Sequence, residues 1–139
     1  MEQDIRLMGI DFGDVNIGLA FGSNGLTMPL PSVPGKNLEN SFNQILRLAY
    51  ENKVRKIVVG LPVLADGGSS EQTFKTKDFV KKLKLRTKIP IEMVNEFMTT
   101  KEVLEKAVGY GSSKKLKGKL DSLSAEIILK RYFEEGAQA

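Results

Sequence analysis

Three carboxylates stand where an apolar run gives way to a terminus, and they define the chemistry open to this chain. Asp11 follows Leu7-Met8-Gly9-Ile10, Glu96 follows Ile91–Asn95, and Asp121 opens the last segment with an apolar face. Gathering such charges within several Å is costly at an interior-like dielectric, so a cluster of them is tolerated when a divalent cation neutralises it. Ligation by oxygen alone suits Mg²⁺ or Mn²⁺. Two such ions roughly 3.5–4 Å apart activate a water and stabilise the leaving oxygen of a phosphodiester, a hydrolysis that needs no imidazole. The chain contains neither histidine nor cysteine. That excludes zinc fingers, iron–sulfur clusters, Cys nucleophiles and Ser–His–Asp triads. Each acid also has a plain structural role open to it, as a turn or cap residue at Asp11 and Glu96 and as a partner for a helix N-terminus at Asp121.

The cations point the same way. Lys plus Arg number 21 against 17 Asp plus Glu, a net charge of +4. Nine of the 21 lie in two runs free of acids, Lys81, Lys82, Lys84, Arg86 and Lys88, then Lys114, Lys115, Lys117 and Lys119. Such runs either solvate a surface or meet a polyanion. The second run lies just before Asp121, which places Lys114, Lys115, Lys117 and Lys119 beside the proposed metal ligands as nucleic-acid contacts. No stripe of aromatics accompanies them, so recognition through backbone and shape is expected. Ser69 and Ser70, at the start of a helix, are further candidates to receive a phosphate. Asp11-Phe12-Gly13 also admits a different chemistry, a nucleotide-phosphate grip of the actin-like and sugar-kinase type, but that needs two clasping domains.

The elements that must position these residues follow from the apolar pattern. A length of 139 residues, 41% hydrophobic and 27% charged, predicts one ordinary globular domain spanning 1–139. The runs 5–11 and 15–21 read as a hairpin entering a third strand at about 26–30, which Pro29, Pro31 and Pro34 confine to an edge or end early. Phe42, Ile45, Leu46 and Ala49 share one helical face, predicting a helix over about 38–52 capped by Asn40 or Ser41. Lys56 to Gly60 reads as a central parallel strand, Leu61 to Ser70 as a loop, and Phe74 to about Leu85 as a second helix. Ile91 to Asn95 is the last strand. Thr99-Thr100-Lys101-Glu102 has the form of a capping box for a third helix ending at Gly109. Tyr110 to Gly118 reads as a lysine-rich loop, and Leu120 to Phe133 as a final helix whose Ser122, Ser124 and Ala125 allow close approach to a sheet.

The order β-β-β-α-β-α-β-α-α describes an α/β fold with a five-stranded mixed sheet and helices on both faces, the ribonuclease H-like arrangement. Strand one then lies between strands two and four. Its carboxyl end faces the same edge as that of the last strand, where ligand crevices of such sheets form. No stretch approaches the roughly 18 apolar residues of a membrane span, and Met1-Glu2-Gln3-Asp4 does not read as a signal peptide, so the cytoplasm is expected.

Taken in order, Gly9-Ile10-Asp11-Phe12-Gly13 with Ile17-Gly18-Leu19-Ala20, Val58-Val59-Gly60-Leu61-Pro62 with Asp66-Gly67, Asn95-Glu96 with Thr99-Thr100, and Lys117 to Ala125 with Ile128-Leu129 resemble the YqgF family, also called RuvX. The resemblance covers nearly the whole chain. It implies a metal-dependent nuclease with its acids on Asp11, Glu96 and Asp121, taking Mg²⁺ or Mn²⁺. The family was first proposed to resolve Holliday junctions and later assigned to maturation of the pre-16S ribosomal RNA. Its implied partners are structured RNA or branched DNA, bound by a monomer or homodimer. The family usually carries Asp-Glu-Arg where this chain has Asn95-Glu96-Phe97, and an arginine is common where Asn16 stands. Those departures keep a second expectation open, a ribosome-assembly factor that binds RNA without cutting it.

Overall fold

The structure is a computed structural model that describes the backbone of residues 5–98 and 114–135 and the side chains of 5–98 and 121–135. Its elements are β1 (Leu7–Asp11), β2 (Asn16–Ser23), β3 (Leu26–Pro34), α1 (Leu38–Glu51), β4 (Lys56–Leu64), α2 (Glu71–Lys84), β5 (Ile91–Met98) and α3 (Lys114–Glu135). The sheet order is β3-β2-β1-β4-β5, with β1, β4 and β5 parallel and β2 and β3 antiparallel. This is the mixed five-stranded sheet that the element order implies, with β1 between β2 and β4. The helix expected from Thr99 to Gly109 lies outside the described residues.

Strand alternation divides the core in two. Met8 and Ile10 of β1, Ile17 and Leu19 of β2 and Ile57 and Val59 of β4 face α1 and α2, and pack on Phe42, Ile45, Phe79 and Leu83. Phe12 and Phe42 both stack on Phe79, with ring centroids 4.4 and 5.5 Å apart. Leu7, Ala20, Val58 and Val94 face the other way, toward Ala125, Ile128 and Leu129 of α3. Helices therefore cover both faces.

Several boundaries differ from the sequence expectation for identifiable reasons. The strand β3 runs on through its prolines to Pro34 because it is an edge, and the register shift between Ile17 and Leu19 leaves Pro31 in a bulge. At the β2–β3 hairpin, Asn24 (φ 53°) and Gly25 (φ 81°) take the left-handed backbone that a tight turn of this hand requires. β4 continues past Gly60 to Leu64, so the first residues of the expected loop are strand. Pro62 is tolerated there because β1 has already left the ladder at Ile10↔Val59, and its carbonyl accepts from Thr73 Oγ1 of α2. The cap of α1 is Asn37, whose side chain accepts from Asn40 N.

The last helix is the largest correction. It begins at Lys114, not Leu120, so Lys114, Lys115, Lys117 and Lys119 lie on its first two turns and not in a loop. Lysine is a good helix former, and a single Gly118 does not outweigh a run of them. Asp121 is consequently the eighth residue of α3 rather than a first-turn residue, which removes the helix-dipole account of it.

Candidate active site

Face alternation along β1 sends Leu7, Gly9 and Asp11 toward α3. Asp11 is 3% exposed and pairs across the ladder with Gly18 of β2. A Cβ on Gly18 would stand 2.1 Å from the carbonyl oxygen of Asp121 and 3.0 Å from its Cβ. Asp121, 7% exposed, therefore lies directly over Gly18. Facing cross-strand Cβ positions are about 5 Å apart, which brings the Asp121 Cβ to within about 8 Å of that of Asp11.

On the other flank, the β1–β4 register continues from Ile10↔Val59 to put Asp11 abreast of Gly60. A Cβ there would lie 3.0 Å from the carboxyl carbon of Glu96 and 2.5 Å from Ile128 Cδ1. Two glycines thus bracket Asp11, one under Asp121 and one under the Glu96 carboxyl. Gly9 and Gly22 extend the same trough under α3, beneath Leu129 and Phe133. Without side chains at these four positions the helix settles close to the sheet, and its Ser122 Oγ donates to the Leu30 carbonyl while Thr27 Oγ1 donates to Glu126 Oε2.

Glu96 lies inside β5, opposite Pro62, and not beyond the strand's end. Ile91 and Met93 pack on the α1 and α2 side whereas Val94 packs under α3. Asn95 therefore faces away from Asp11, so it is not placed as a further oxygen ligand beside Glu96. Phe97 shares the Asn95 side and is 58% exposed. The Asn95 carbonyl accepts from Arg131 Nη1 of α3 at 2.8 Å. Arg131 is a cation near Glu96 that no spacing in the sequence singled out.

Among the described residues no three His, Cys, Asp or Glu side chains are gathered tightly enough to hold one metal ion as they stand. What the register supplies is a common end and a common face for two buried carboxylates and the Glu96 carboxyl, with oxygen as the only donor type. That donor set fits a hard divalent cation and no softer one.

The head of α2 abuts the same end. Gln72 Nε2 donates to the Phe12 carbonyl at 3.3 Å, and Lys75 Nζ donates to Asp14 Oδ2 at 3.1 Å. That hydrogen bond is the main reason the Lys75 amine titrates above its ordinary 10.5, so Lys75 stays charged at neutral pH. Ser70 is the N-cap of α2, accepting from Thr73 N while Thr73 Oγ1 accepts from Ser70 N at 2.9 Å. Its hydroxyl is committed to the helix, whereas Ser69 beside it is exposed. Ser70→Ala is expected to cost about 1 kcal/mol of stability through loss of the cap, read as a lower urea midpoint with an unchanged slope. Lys114, Lys115, Lys117 and Lys119 precede Asp121 along α3, within its first two turns.

Comparison with known proteins agrees with this fold. Residues 5–135 match the model of the RuvX family, described as Holliday junction resolvase. Proteins of Escherichia coli O157:H7 and Shigella boydii serotype 18, each named "Putative pre-16S rRNA nuclease", are 35% identical over 133 residues, spanning 94% of this chain and 96% of each relative. Among solved structures, T. thermophilus RuvC in complex with a Holliday junction substrate superposes with a TM-score of 0.60 at 12% identity, covering 96% of this chain and 98% of that one. Fowlpox virus resolvase in complex with Holliday junction DNA gives 0.50 at 10% identity, covering 93% and 99%. At such identities the likeness is one of fold, and the fold is ribonuclease H-like. Among the described residues no helix is long and apolar enough to cross a membrane. With the family model matched from the first strand to the last helix, the chain belongs to the RuvX (YqgF) family of nucleases, hydrolases of phosphodiester bonds.

Proposed function

We propose that this chain, acting as one domain in the cytoplasm, is a divalent-metal-dependent endonuclease that cuts structured nucleic acid, with pre-16S ribosomal RNA as its substrate. The observation that carries this reading is the placement of Asp11 between Gly18, which lies under Asp121, and Gly60, which lies under the Glu96 carboxyl. Asp11, Glu96 and Asp121 would hold Mg²⁺ or Mn²⁺, which when bound activates a water and stabilises the leaving oxygen. Asp11 supplies the central carboxylate, fixed by a strand with neighbours on both sides. Glu96 and Asp121 complete the set from β5 and α3. Lys114, Lys115, Lys117 and Lys119 on the first turns of α3, with Ser69 at the head of α2, take phosphates flanking the cut. The relatives' naming for pre-16S rRNA favours RNA over a four-way DNA junction. The outward turn of Asn95 supports cutting over mere binding, because its exchange for Asp leaves the α3 face of the site unaltered.

The test is incubation of purified protein with precursor 16S RNA and with a four-way DNA junction, in Mg²⁺ or Mn²⁺ and in EDTA. Product from RNA with either ion and none in EDTA is expected. Junction cleavage with intact RNA would replace the substrate. Salt-sensitive RNA binding without metal uptake or cleavage would leave an assembly factor that has lost its chemistry.

A further inference from the structure

The far end of the sheet carries the opposite charge. Because β1, β4 and β5 are parallel, their amino ends share one edge, and between the closing turns of α1 and α2 that edge holds an open groove of about 810 Å³. Arg55, Lys84, Arg86 and Lys88 line it together with Tyr50, and no Asp or Glu does. Arg86 pairs with Glu39 and lies 4.5 Å over the Phe42 ring, so it serves the fold. Arg55, Lys84 and Lys88 are exposed, and none of them has a carboxylate within ion-pair distance among the described residues.

A solvated helix end accounts for Lys84, which sits in the last turn of α2. It does not account for Arg55 and Lys88, which stand in the connections entering β4 and β5. A concave surface lined by one sign of charge concentrates counter-ions of the other. Tyr50 is 56% exposed, with its hydroxyl held to Thr87 Oγ1 at 2.7 Å, which leaves ring surface open to an unpaired base. From Arg55 to Gly60, abreast of Asp11, is five residues of strand, about 17 Å at roughly 3.3 Å each.

We propose that this groove is a second nucleic-acid contact, seating the phosphodiester backbone of a substrate arm that extends away from the cleavage point. The inference rests on the reading of the chain as a nuclease for structured RNA. It gives a role to Lys84 and Lys88 of the Lys81–Lys88 run and to Arg55, which the carboxylate site leaves unused.

The experiment uses the full chain and the exposed triple change Arg55→Gln, Lys84→Gln and Lys88→Gln. Fluorescence anisotropy in EDTA, where nothing is cut, follows binding of a long-armed precursor RNA hairpin across a salt series. Loss of three phosphate contacts lowers the slope of log affinity against log salt by about two to three. At low salt the affinity for that hairpin should fall by roughly tenfold or more, with an unchanged melting temperature and an unchanged rate on a hairpin too short to reach the groove. An unchanged slope and affinity would overturn the proposal. So would inorganic phosphate that binds the wild type and not the triple variant while RNA binding stays the same, which would make the groove a small-anion site. Asp11→Asn separates the two readings, since it should abolish cleavage and keep the salt slope. If the wild type cuts nothing, the nuclease reading falls while the salt series still decides the groove.

Discussion

Asp11→Asn should abolish metal-dependent cleavage, by about 10²–10³-fold or more, and leave the protein folded. The replacement has the same shape and removes one negative charge from a carboxylate that is 3% exposed and bracketed by Gly18 and Gly60. Charge stabilisation by a bound divalent ion is worth several kcal/mol, and each 1.36 kcal/mol is a factor of ten in rate. Stability should hold or rise, because the exchange removes one of several nearby negative charges. Glu92→Gln is the matching control. Glu92 shares the strand and face of Glu96 but lies toward the other end, opposite Val58, within 3.5 Å of Lys56 Nζ. Equal product from Asp11→Asn and wild type would sink the assignment, and equal loss from Glu92→Gln would show that the effect is not local.

Gly18→Ala should act through packing. Its Cβ would come 2.1 Å from the Asp121 carbonyl oxygen and 2.4 Å from the carbonyl carbon. Those are helix backbone atoms, which cannot rotate aside, so α3 must lift from the sheet. Overpacking of this kind costs about 1–3 kcal/mol, and here the upper part of that range is expected, with cleavage falling further because Asp121 leaves Asp11. Gly60→Ala should be milder for stability. Its nearest neighbours are the far end of Ile128, which can change rotamer, and the Glu96 carboxyl at 3.0 Å. Gly25→Ala has nothing within 4 Å and suffers only the strain of φ +81°, with full activity. Urea midpoints and single-turnover rates of the three variants give the ranking. A Gly18→Ala protein as stable as wild type would show that the helix does not rest on that glycine.

The strand order and the end at which Asp11 lies were legible because alternating apolar runs and helices leave few topologies, and an Asp closing a buried run marks a strand terminus. Less legible was everything that depends on what packs opposite. Glu96 reads as lying beyond a strand because a charge interrupts the apolar run, yet the face beneath α3 accommodates it inside the ladder. The beginning of α3 reads as loop because Lys114 to Lys119 has no apolar stripe. Ser70, read at the start of a helix, does cap α2, but its capping box is not evident in the sequence because Thr73 closes it where glutamate is the usual signal. Gly18 and Gly60 give no sign in the chain of which atoms press on them. Only the docked helix reveals that Asp121 lies over the first, and only the fold that the Glu96 carboxyl lies over the second.

The seating of α3 has a bearing on when the molecule becomes dangerous to RNA. A protein is made from its amino end, and domains complete themselves as the chain emerges. Asp11 leaves the ribosome early and Asp121 late, so under the proposed assignment a growing chain holds an incomplete set of acids until its last helix has emerged. On the proposed assignment the site is complete only once the final helix settles on its glycine bed, so that any cutting belongs to the finished molecule and not to its precursors.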